Sequence, residues 1–171
     1  LYNTVTKAVA ECKNISDKYE IIIVDDGSRD KTPQIAKQLV NEDSNIRVIT
    51  HNPNQGYGGA LKSGLYAAKY QYIAFTDSDG QFDFSQIERF IPHLEEYKMV
   101  VGYRTKRAEG LLRYLNAKLW GILVNLLFSV NIKDIDCAFK VFHKEIIDNI
   151  PQLESYGALI STELLVKTRK K

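Results

Sequence analysis

Long apolar runs are missing from this 171-residue sequence, and so is a marked excess of charge of either sign. The longest apolar stretch, residues 119–130, is interrupted by Asn125 and Ser129 and is shorter than the ~20 residues that a membrane-spanning helix needs. Lysine and arginine total 23 against 21 acidic residues, and a net charge of +2 does not favour nucleic acid as a partner. We therefore expect a chain that is soluble or peripheral to a membrane and that binds no nucleic acid.

Cysteine and histidine are also scarce. Cys12 and Cys137 lie far apart without a C-x-x-C spacing, which argues against a zinc site or a disulfide framework and predicts two buried thiols. The three histidines, His51, His93 and His143, have no ligand spacing, and a lone histidine is more often a surface or packing residue than a catalyst. We assign them no role.

What is present suits one folded unit. An apolar content of 44% with 11% aromatics can build a sizeable core, and the length predicts a single domain over residues 1–171. Charge is uneven, since residues 1–100 carry 11 basic and 14 acidic side chains whereas residues 101–171 carry 12 basic and 7 acidic ones. This asymmetry suggests two different ligand surfaces. Because the sequence starts at Leu1 and stops on a basic run, we expect a piece of a longer protein.

Strand-like and helix-like segments alternate along the chain, which predicts an α/β fold with a mostly parallel sheet flanked by helices. The apolar runs predict strands at residues 20–25, 46–50, 72–76, 99–102 and 138–142. The remaining patterns predict helices at residues 1–13, 32–40, 54–69, 85–97 and 111–130, with a last helix starting near residue 160.

Paired acidic residues follow two of the predicted strands: Asp25 with Asp26, and Asp77 with Asp79. Ligands of open α/β sheets bind at the carboxyl ends of strands, and such carboxylates can hold Mg²⁺ or Mn²⁺ beside a diphosphate, with Gln81 as a possible further ligand. The alternative is local turn chemistry, since Asp, Ser and Gly dominate turns for structural reasons. The presence of two such pairs favours the metal and nucleotide site.

A glycine-rich segment, NQGYGGALKSGL, opens the predicted helix at residues 54–69. Glycines before a helix allow a phosphate to approach the backbone at the helix N-terminus. Packing of the helix against the sheet at Gly56, Gly59 and Ala60 explains the same glycines equally well, and the segment matches neither of the common phosphate-loop patterns.

The second part of the chain joins a basic segment to an apolar helix. Five basic residues and one acidic residue occur between Arg104 and Lys118, which favours an anionic partner. Leucine, isoleucine and valine then repeat at helical spacing to Val130, in an arc wider than one sheet face usually covers. The helix is either a core helix with a solvated basic end or one that lies partly at a membrane interface.

Five segments, in this order and spacing, resemble the family-2 inverting glycosyltransferases, and within them the dolichyl-phosphate mannose and polyprenyl-phosphate glucose synthases. They are EIIIVDDGSRDKT, NPNQGYGGALKSGL, YIAFTDSDGQFD, VVGYR and IKDIDCAFKVF. The resemblance implies a GT-A fold, a Rossmann-like α/β domain that binds nucleotide diphosphate sugars, here truncated at both ends. It also implies a divalent cation, Mg²⁺ or Mn²⁺.

The resemblance carries roles over to individual residues. It implies a nucleotide-sugar site formed by Asp25, Asp26, Gly56, Gly59, Lys62, Asp77 and Ser78, and a metal site formed by Asp77, Asp79 and Gln81. It further implies catalytic roles for the metal carboxylates Asp77 and Asp79, for Arg104 and Arg113 near the phosphates, and for Asp136 and Glu163 near the acceptor. Two departures from the family pattern, Phe82-Asp83 after Gln81 and the segment DIDCA, affect the acceptor side.

The expected activity is therefore transfer of a hexose from a donor of the GDP-mannose or UDP-glucose type to a polyprenyl phosphate, on the cytoplasmic face of a membrane. If the acceptor is a sugar hydroxyl instead, a carboxylate base such as Asp136 or Glu163 becomes necessary. A catalytically silent relative that binds a lipid or a partner is a further alternative. A phosphoacceptor receiver domain also has acidic strand ends, but it requires neither the glycine-rich segment nor the long apolar helix.

Overall fold

The computed structural model describes residues 1–104 and 111–169; for residues 111–117 it describes the backbone only. The helices are α1 (Tyr2–Ile15), α2 (Thr32–Glu42), α3 (Gly56–Ala67), α4 (Leu111–Phe128), α5 (Glu145–Asn149) and α6 (Leu159–Arg169). The strands are β1 (Ile21–Asp25), β2 (Ile46–Thr50), β3 (Tyr72–Phe75), β4 (Met99–Val101) and β5 (Lys140–His143). Helices and strands thus alternate as the sequence predicts.

Strand pairing combines parallel and antiparallel ladders. β1 pairs in parallel with β2, with Ile21 opposite Ile46, whereas β5 lies between β3 and β4 and is antiparallel to both. The expected α/β fold with parallel strands and flanking helices is confirmed, and the antiparallel β5 is a feature that the sequence pattern did not predict. An apolar run indicates a buried strand but carries no information on its direction.

Two other elements differ from the sequence prediction. The helix expected at residues 85–97 is replaced by two 3₁₀-helices, Phe84–Arg89 and Ile91–Glu95. Pro92 lies at the start of the second one, where its ring and missing N–H interrupt a continuous α-helix. The short helix α5 was not predicted at all, because five residues are too few to show a helical period.

The core comprises several apolar clusters that hold the strand ends in place. β3, β5 and α6 share a cluster that includes Ile73, Phe142 and Ile160, while β1, β2, α1 and α2 share another. A third cluster stacks phenylalanines around Phe139. Cys137 is buried there as predicted, whereas Cys12 is only half-buried; both thiols are free.

Candidate functional site

The two acidic residues after β1 have different environments. Asp25 is buried, and its Oδ1 accepts a hydrogen bond of 2.9 Å from the backbone N–H of Ser28, which closes the turn. The side chain of Asp26 is 18% exposed and lies at the surface of the same turn. Of the predicted nucleoside ligands, Asp26 is therefore the accessible one, and the contacts of Asp25 favour a structural role.

Asp26 is held by a network that reaches β2 and α3. Its Oδ1 accepts from the backbone N–H of Gln55 at 2.8 Å and lies 2.6 Å from His51 Nδ1. The other ring nitrogen of His51 lies 2.8 Å from Ser63 Oγ. Burial alone would raise the pKa of Asp26, but the hydrogen bonds from Gln55 and His51 lower it below its ordinary value. Asp26 is thus an ionised, oriented hydrogen-bond acceptor at neutral pH.

The glycines at the start of α3 contact a neighbouring protein segment. The N–H of Gly58 donates to Tyr156 O at 2.7 Å, and a Cβ added at Gly58 would lie 2.5 Å from Ser155 O. A Cβ at Gly59 would lie 2.6 Å from Gln55 Cβ, and Gly56 adopts a φ of +79°, which few other residues accept. These contacts favour packing over phosphate binding as the reason for the glycines, but the packing partner is the segment before α6 rather than the sheet that the sequence analysis expected.

Lys62 is engaged by the same segment. Its Nζ lies 3.5 Å from the centroid of the Tyr156 ring and donates to Glu154 O at 3.3 Å. A cation held over an aromatic face in this way is stabilised by attraction to the negative face of the ring. The predicted nucleotide-sugar contact of Lys62 stays a prediction, and it would require the ammonium group to leave Tyr156.

The second acidic pair lies just beyond β3. Burial and the charge of Asp79 raise the pKa of Asp77, and hydrogen bonding from Tyr57 partly counteracts this. Asp79 is exposed, and its Oδ1 accepts from the backbone N–H of Gln81 at 2.9 Å across Gly80, whose φ is +82°. The structure therefore places Asp77 and Asp79 close enough to repel each other, as expected of a pair that shares a cation.

Ser78, between these aspartates, is exposed, and its carbonyl oxygen accepts from Thr4 Oγ1 at 3.2 Å. This bond connects the acidic turn to α1. The predicted contact of Ser78 with a nucleotide sugar is left open by this geometry.

The donor set fits a hard divalent cation. Within residues 1–104 and 111–169, no three His, Cys, Asp or Glu side chains gather to hold a metal by themselves. Mg²⁺ and Mn²⁺ commonly bind through one or two carboxylates and complete their coordination with substrate phosphates and water. Asp77 and Asp79, with Gln81 nearby in sequence, match that pattern better than they match a closed structural metal site.

Arg104 follows β4 and is anchored by an aspartate 30 residues further on. Its Nε and Nη2 donate to the two carboxylate oxygens of Asp134 at 3.0 and 3.1 Å, and its backbone N–H donates to Oδ2 at 3.2 Å. Asp134 is only 5% exposed, whereas the Arg104 side chain is 21% exposed. This bidentate pair fixes the plane of the guanidinium group while leaving part of it accessible. β3 and β4 both end opposite Lys140, so Asp77 and Arg104 follow strands that end at the same edge of the sheet. The charge of Arg104 accordingly lowers the pKa of Asp77.

Two residues that the sequence analysis missed lie among these groups. Lys140 of β5 is fully buried and donates to the carbonyl oxygens of Ile135 and Cys137, and burial lowers its pKa to about 8. Burial and the charge of the neighbouring Asp77 raise the pKa of Tyr57 in α3. A lysine inside the apolar strand run was a visible signal for Lys140, whereas the contact of Tyr57 depends on how α3 docks.

The acceptor-side carboxylates are dissimilar. Asp136 is exposed between the buried residues Ile135 and Cys137. It lies close enough to Lys140 for its negative charge to raise the pKa of that lysine. Glu163 instead accepts from the backbone N–H groups of Glu154 and Ser155, each at 2.8 Å, and pairs with Lys167.

The environment of Glu163 makes it a weak base. Partial burial would raise its pKa, but hydrogen bonds from Lys167 and the two backbone amides lower the pKa to about 2. A carboxylate with so low a proton affinity is poorly matched to general-base chemistry near neutral pH. These contacts favour a structural role for Glu163 over the predicted catalytic one, which leaves Asp136 as the better-placed carboxylate.

The apolar helix α4 is packed on one side and exposed on the other. Val124 is buried against Ile135 and Leu165, with Trp120 alongside. The opposite face exposes large apolar side chains, Leu126 at 77%, together with Leu119, Ile122, Leu123, Leu127 and Phe128. The predicted excess of apolar surface is confirmed. Arg113, the second predicted phosphate ligand, belongs to the stretch whose side chains lie outside the described residues.

The fold is of the GT-A type, and its carboxylate pair lies just beyond β3, an edge strand of the three-stranded sheet, where ligands of α/β sheets bind. Residues 2–150 match the family model described as glycosyl transferase family 2, and the chain belongs to that family. The recognition made from sequence motifs is thereby confirmed.

Curated relatives include several lipid-phosphate sugar transferases. The chain is 31% identical over 173 residues to a dolichyl-phosphate beta-glucosyltransferase of Dictyostelium discoideum, covering 92% of this chain and 53% of that protein. It is 28% identical to an undecaprenyl-phosphate 4-deoxy-4-formamido-L-arabinose transferase of Pseudomonas fluorescens, covering 94% and 50%. The chain thus spans about half the length of these relatives.

Solved structures support the fold. A glucosyl-3-phosphoglycerate synthase of Mycobacterium tuberculosis, crystallised with Mn²⁺, UDP-glucose and phosphoglyceric acid, superimposes with a TM-score of 0.71 at 20% identity, covering 98% of this chain and 60% of that one. None of the helices in the described parts of the present chain is long and apolar enough to cross a membrane.

Proposed function

We propose that this chain is the donor-binding part of a metal-dependent, inverting glycosyltransferase that moves a hexose from a nucleotide diphosphate to a polyprenyl phosphate. The observation that carries the proposal is the pair of Asp77 and Asp79 just beyond β3, at the same edge of the sheet as Arg104, which follows β4. Relatives of the same family that act on dolichyl and undecaprenyl phosphates support the acceptor class.

On the donor side, Asp26 is positioned to accept a hydrogen bond from the nucleoside. It is ionised and partly exposed, and it lies on the turn that follows β1. Ligands of α/β sheets bind at such turns. The donor is of the GDP-mannose or UDP-glucose type; the solved relative with bound UDP-glucose favours the second.

A divalent cation, Mg²⁺ or Mn²⁺, would be held by Asp77 and Asp79 with help from Gln81. When bound, it would neutralise the leaving diphosphate as a Lewis acid. Asp77 contributes negative charge, and the neighbouring Tyr57 lowers its pKa, which favours the ionised form that a cation needs.

On the acceptor side, the guanidinium group of Arg104 is oriented by Asp134 and binds phosphate oxygens, with Arg113 as a second predicted ligand. The planar fork of arginine suits a phosphate because it makes two charge-assisted hydrogen bonds. A phosphate monoester is already anionic near neutral pH, so it needs positioning more than deprotonation. A lipid phosphate therefore fits a site in which Glu163, one of the two predicted acceptor-side carboxylates, is a poor base.

The exposed face of α4 suits a membrane surface. Its large apolar side chains, led by Leu126, adjoin exposed cationic residues: Lys118 on the same helix, and Arg169, which donates to Phe128 O. An apolar face bordered by cations is the pattern of a helix that lies in the interface of an anionic membrane. We place the protein at the cytoplasmic face of a membrane, bound peripherally through this face or through segments outside this chain.

A second candidate is a family-2 transferase that acts on a sugar hydroxyl. The observation that favours it is that Asp136 is exposed and lies close enough to the buried Lys140 to raise the pKa of that lysine. A silent, lipid-binding relative is the third possibility, and the retained metal carboxylates weigh against it.

The test is transfer of labelled sugar by the full-length protein from UDP-glucose and GDP-mannose, with Mg²⁺ or Mn²⁺, to a polyprenyl phosphate or to a soluble sugar. Asp79→Asn is compared with Asp83→Asn, a carboxylate of the same loop whose Oδ1 accepts hydrogen bonds from the N–H and the hydroxyl of Ser85. We expect lipid-linked product, lost in the first variant and kept in the second. Preferential use of the soluble sugar, with loss of activity in Asp136→Asn, would establish the hydroxyl-acceptor alternative.

A further inference from the structure

His51 was given no role by its sequence context, yet it is buried at the predicted donor site and connects three elements. It follows β2 directly, it is 6% exposed, and its two ring nitrogens lie 2.6 Å from Asp26 Oδ1 and 2.8 Å from Ser63 Oγ. Its backbone N–H also donates to Asp25 O at 2.9 Å. One side chain thus joins the turn after β1, the end of β2 and the middle of α3.

The chemistry of its neighbours determines the proton arrangement on neutral His51. An ionised carboxylate can only accept, so Nδ1 carries the hydrogen that points at Asp26. Nε2 is then an acceptor, and the hydroxyl of Ser63 donates to it. Both nitrogens of the buried ring are satisfied, which fixes the tautomer and the plane of the imidazole.

The consequence falls on the carboxylate of Asp26. Its Oδ1 takes two protein donors, His51 Nδ1–H and the N–H of Gln55, while Asn54 Nδ2 donates to Asp26 O at 2.6 Å. With both donors on the same oxygen, the carboxylate cannot rotate freely, although its side chain is 18% exposed. Without His51, the carboxylate would lose its one side-chain donor and would be restrained by the backbone amides of Gln55 and Gly56.

The same three residue types form the nucleophile, base and orienting acid of serine hydrolases, but the surroundings here do not suit that chemistry. Ser63 is the eighth residue of the twelve in α3, where backbone N–H groups are engaged in the helix. Within α3, therefore, the backbone around Ser63 offers no pair of free amides to stabilise an oxyanion.

We infer that His51 is a positioning residue for donor binding: through Nδ1–H it holds Asp26 in the orientation that accepts a hydrogen bond from the nucleoside of the sugar nucleotide. This inference rests on the proposed function. It adds His51 as a residue that affects donor affinity through Asp26 and does not itself contact the phosphates of the donor. A carboxylate oriented in advance binds more tightly because less freedom is lost on binding.

Two conservative variants separate the contacts of the ring. The Nδ2 of asparagine occupies the place of histidine Nδ1, so His51→Asn keeps the donor to Asp26. The Nε2 of glutamine occupies the place of histidine Nε2, so His51→Gln keeps only the contact with Ser63. His143→Asn is the matched control, because it removes the ring nitrogen that contacts Leu94 O at 3.0 Å, away from the donor site.

The measurement is the affinity of the full-length protein for UDP and for GDP by calorimetric titration, with and without Mn²⁺, using whichever nucleotide the wild type binds more tightly. We expect His51→Gln to weaken binding by about tenfold in both conditions, the lower end of the effect of one lost charge-assisted hydrogen bond. His51→Asn and His143→Asn should stay within about threefold. Asp79→Asn, in contrast, should weaken binding only when Mn²⁺ is present.

In turnover assays His51→Gln should raise the KM for the donor and leave kcat within about twofold, since no reacting atom is displaced. Equal affinity loss in His51→Asn and His51→Gln, or no loss in either, would overturn the inference. Failure of the wild type to bind either nucleotide would overturn the proposed function as well. Nucleotide binding without sugar transfer to a polyprenyl phosphate would count against the proposed acceptor alone, while the affinities still decide the role of His51.

Discussion

The pair formed by Arg104 and Asp134 offers the sharpest test of the site, and Asp134→Asn is the informative change. The substitution keeps the shape of the side chain and one oxygen, but it removes the charge and places an amide NH₂ against the guanidinium group. Three N–H groups of Arg104 donate to the carboxylate at 3.0–3.2 Å, so at least one donor loses its acceptor. The carboxylate is nearly fully buried, which limits replacement by water.

The expected cost follows from this geometry. Breaking a buried ion pair by changing one partner costs ~3–5 kcal/mol, and charge-assisted hydrogen bonds contribute ~1.5–3 kcal/mol each. Because about a fifth of the Arg104 side chain is exposed, water partly compensates, and we expect a loss of about 3 kcal/mol in the free energy of unfolding. For a chain of this length that corresponds to a fall in Tm of about 6–12 °C. Transfer activity should fall too, since Arg104 would lose its fixed orientation.

Urea unfolding followed by circular dichroism measures this loss. The control is Asp148→Asn, which breaks the exposed i,i+4 pair of Lys144 and Asp148 and should cost no more than about 0.5 kcal/mol. Indistinguishable free energies of unfolding for the two variants would refute the reasoning. In that case the bidentate pair would contribute no more to stability than a surface salt bridge does.

Three further predictions concern other parts of the chain. Glu163 has a depressed pKa of about 2, so its stabilising contribution is complete above about pH 4.5 and is lost as the pH falls toward 2. Glu163→Gln should therefore flatten the dependence of Tm on pH between these values, and an unchanged slope would contradict the assignment. Gly58→Ala should destabilise the fold by about 2 kcal/mol or more, because the added methyl meets Ser155 O, whereas Gly121→Ala in open space on α4 should be neutral or slightly stabilising in the same urea assay. Replacing Leu126 and Leu127 together with glutamine should reduce cosedimentation with anionic lipid vesicles, and Leu159→Gln, an exposed leucine of α6, should not; equal binding by all variants would exclude α4 as the membrane contact.

The helices and strands were largely predictable because their signals are local. The alternation of apolar runs with turn residues was sufficient to predict α1, α2, α3, α4 and α6 with bounds correct to within a few residues. It was also sufficient to predict all five strands. The aspartates after β1 and β3 follow from the same logic, since a turn at the end of a buried strand has to be polar. What the pattern could not contain was the direction of β5, which depends on which strands it meets.

The side-chain partnerships of the site depend on long-range packing instead. His51 meets Asp26 and Ser63, and Arg104 meets Asp134, only after segments 12 to 30 residues apart have docked. The pKa of Lys140 is likewise lowered by burial in the folded chain. The pKa of Glu163 is lowered by hydrogen bonds that include those from the segment before α6. Sequence alone thus determined which chemical groups stand at the strand ends. The tertiary structure decided which of them are oriented, buried or already satisfied, because hydrogen bonding and desolvation depend on neighbours in space and not on neighbours in the chain.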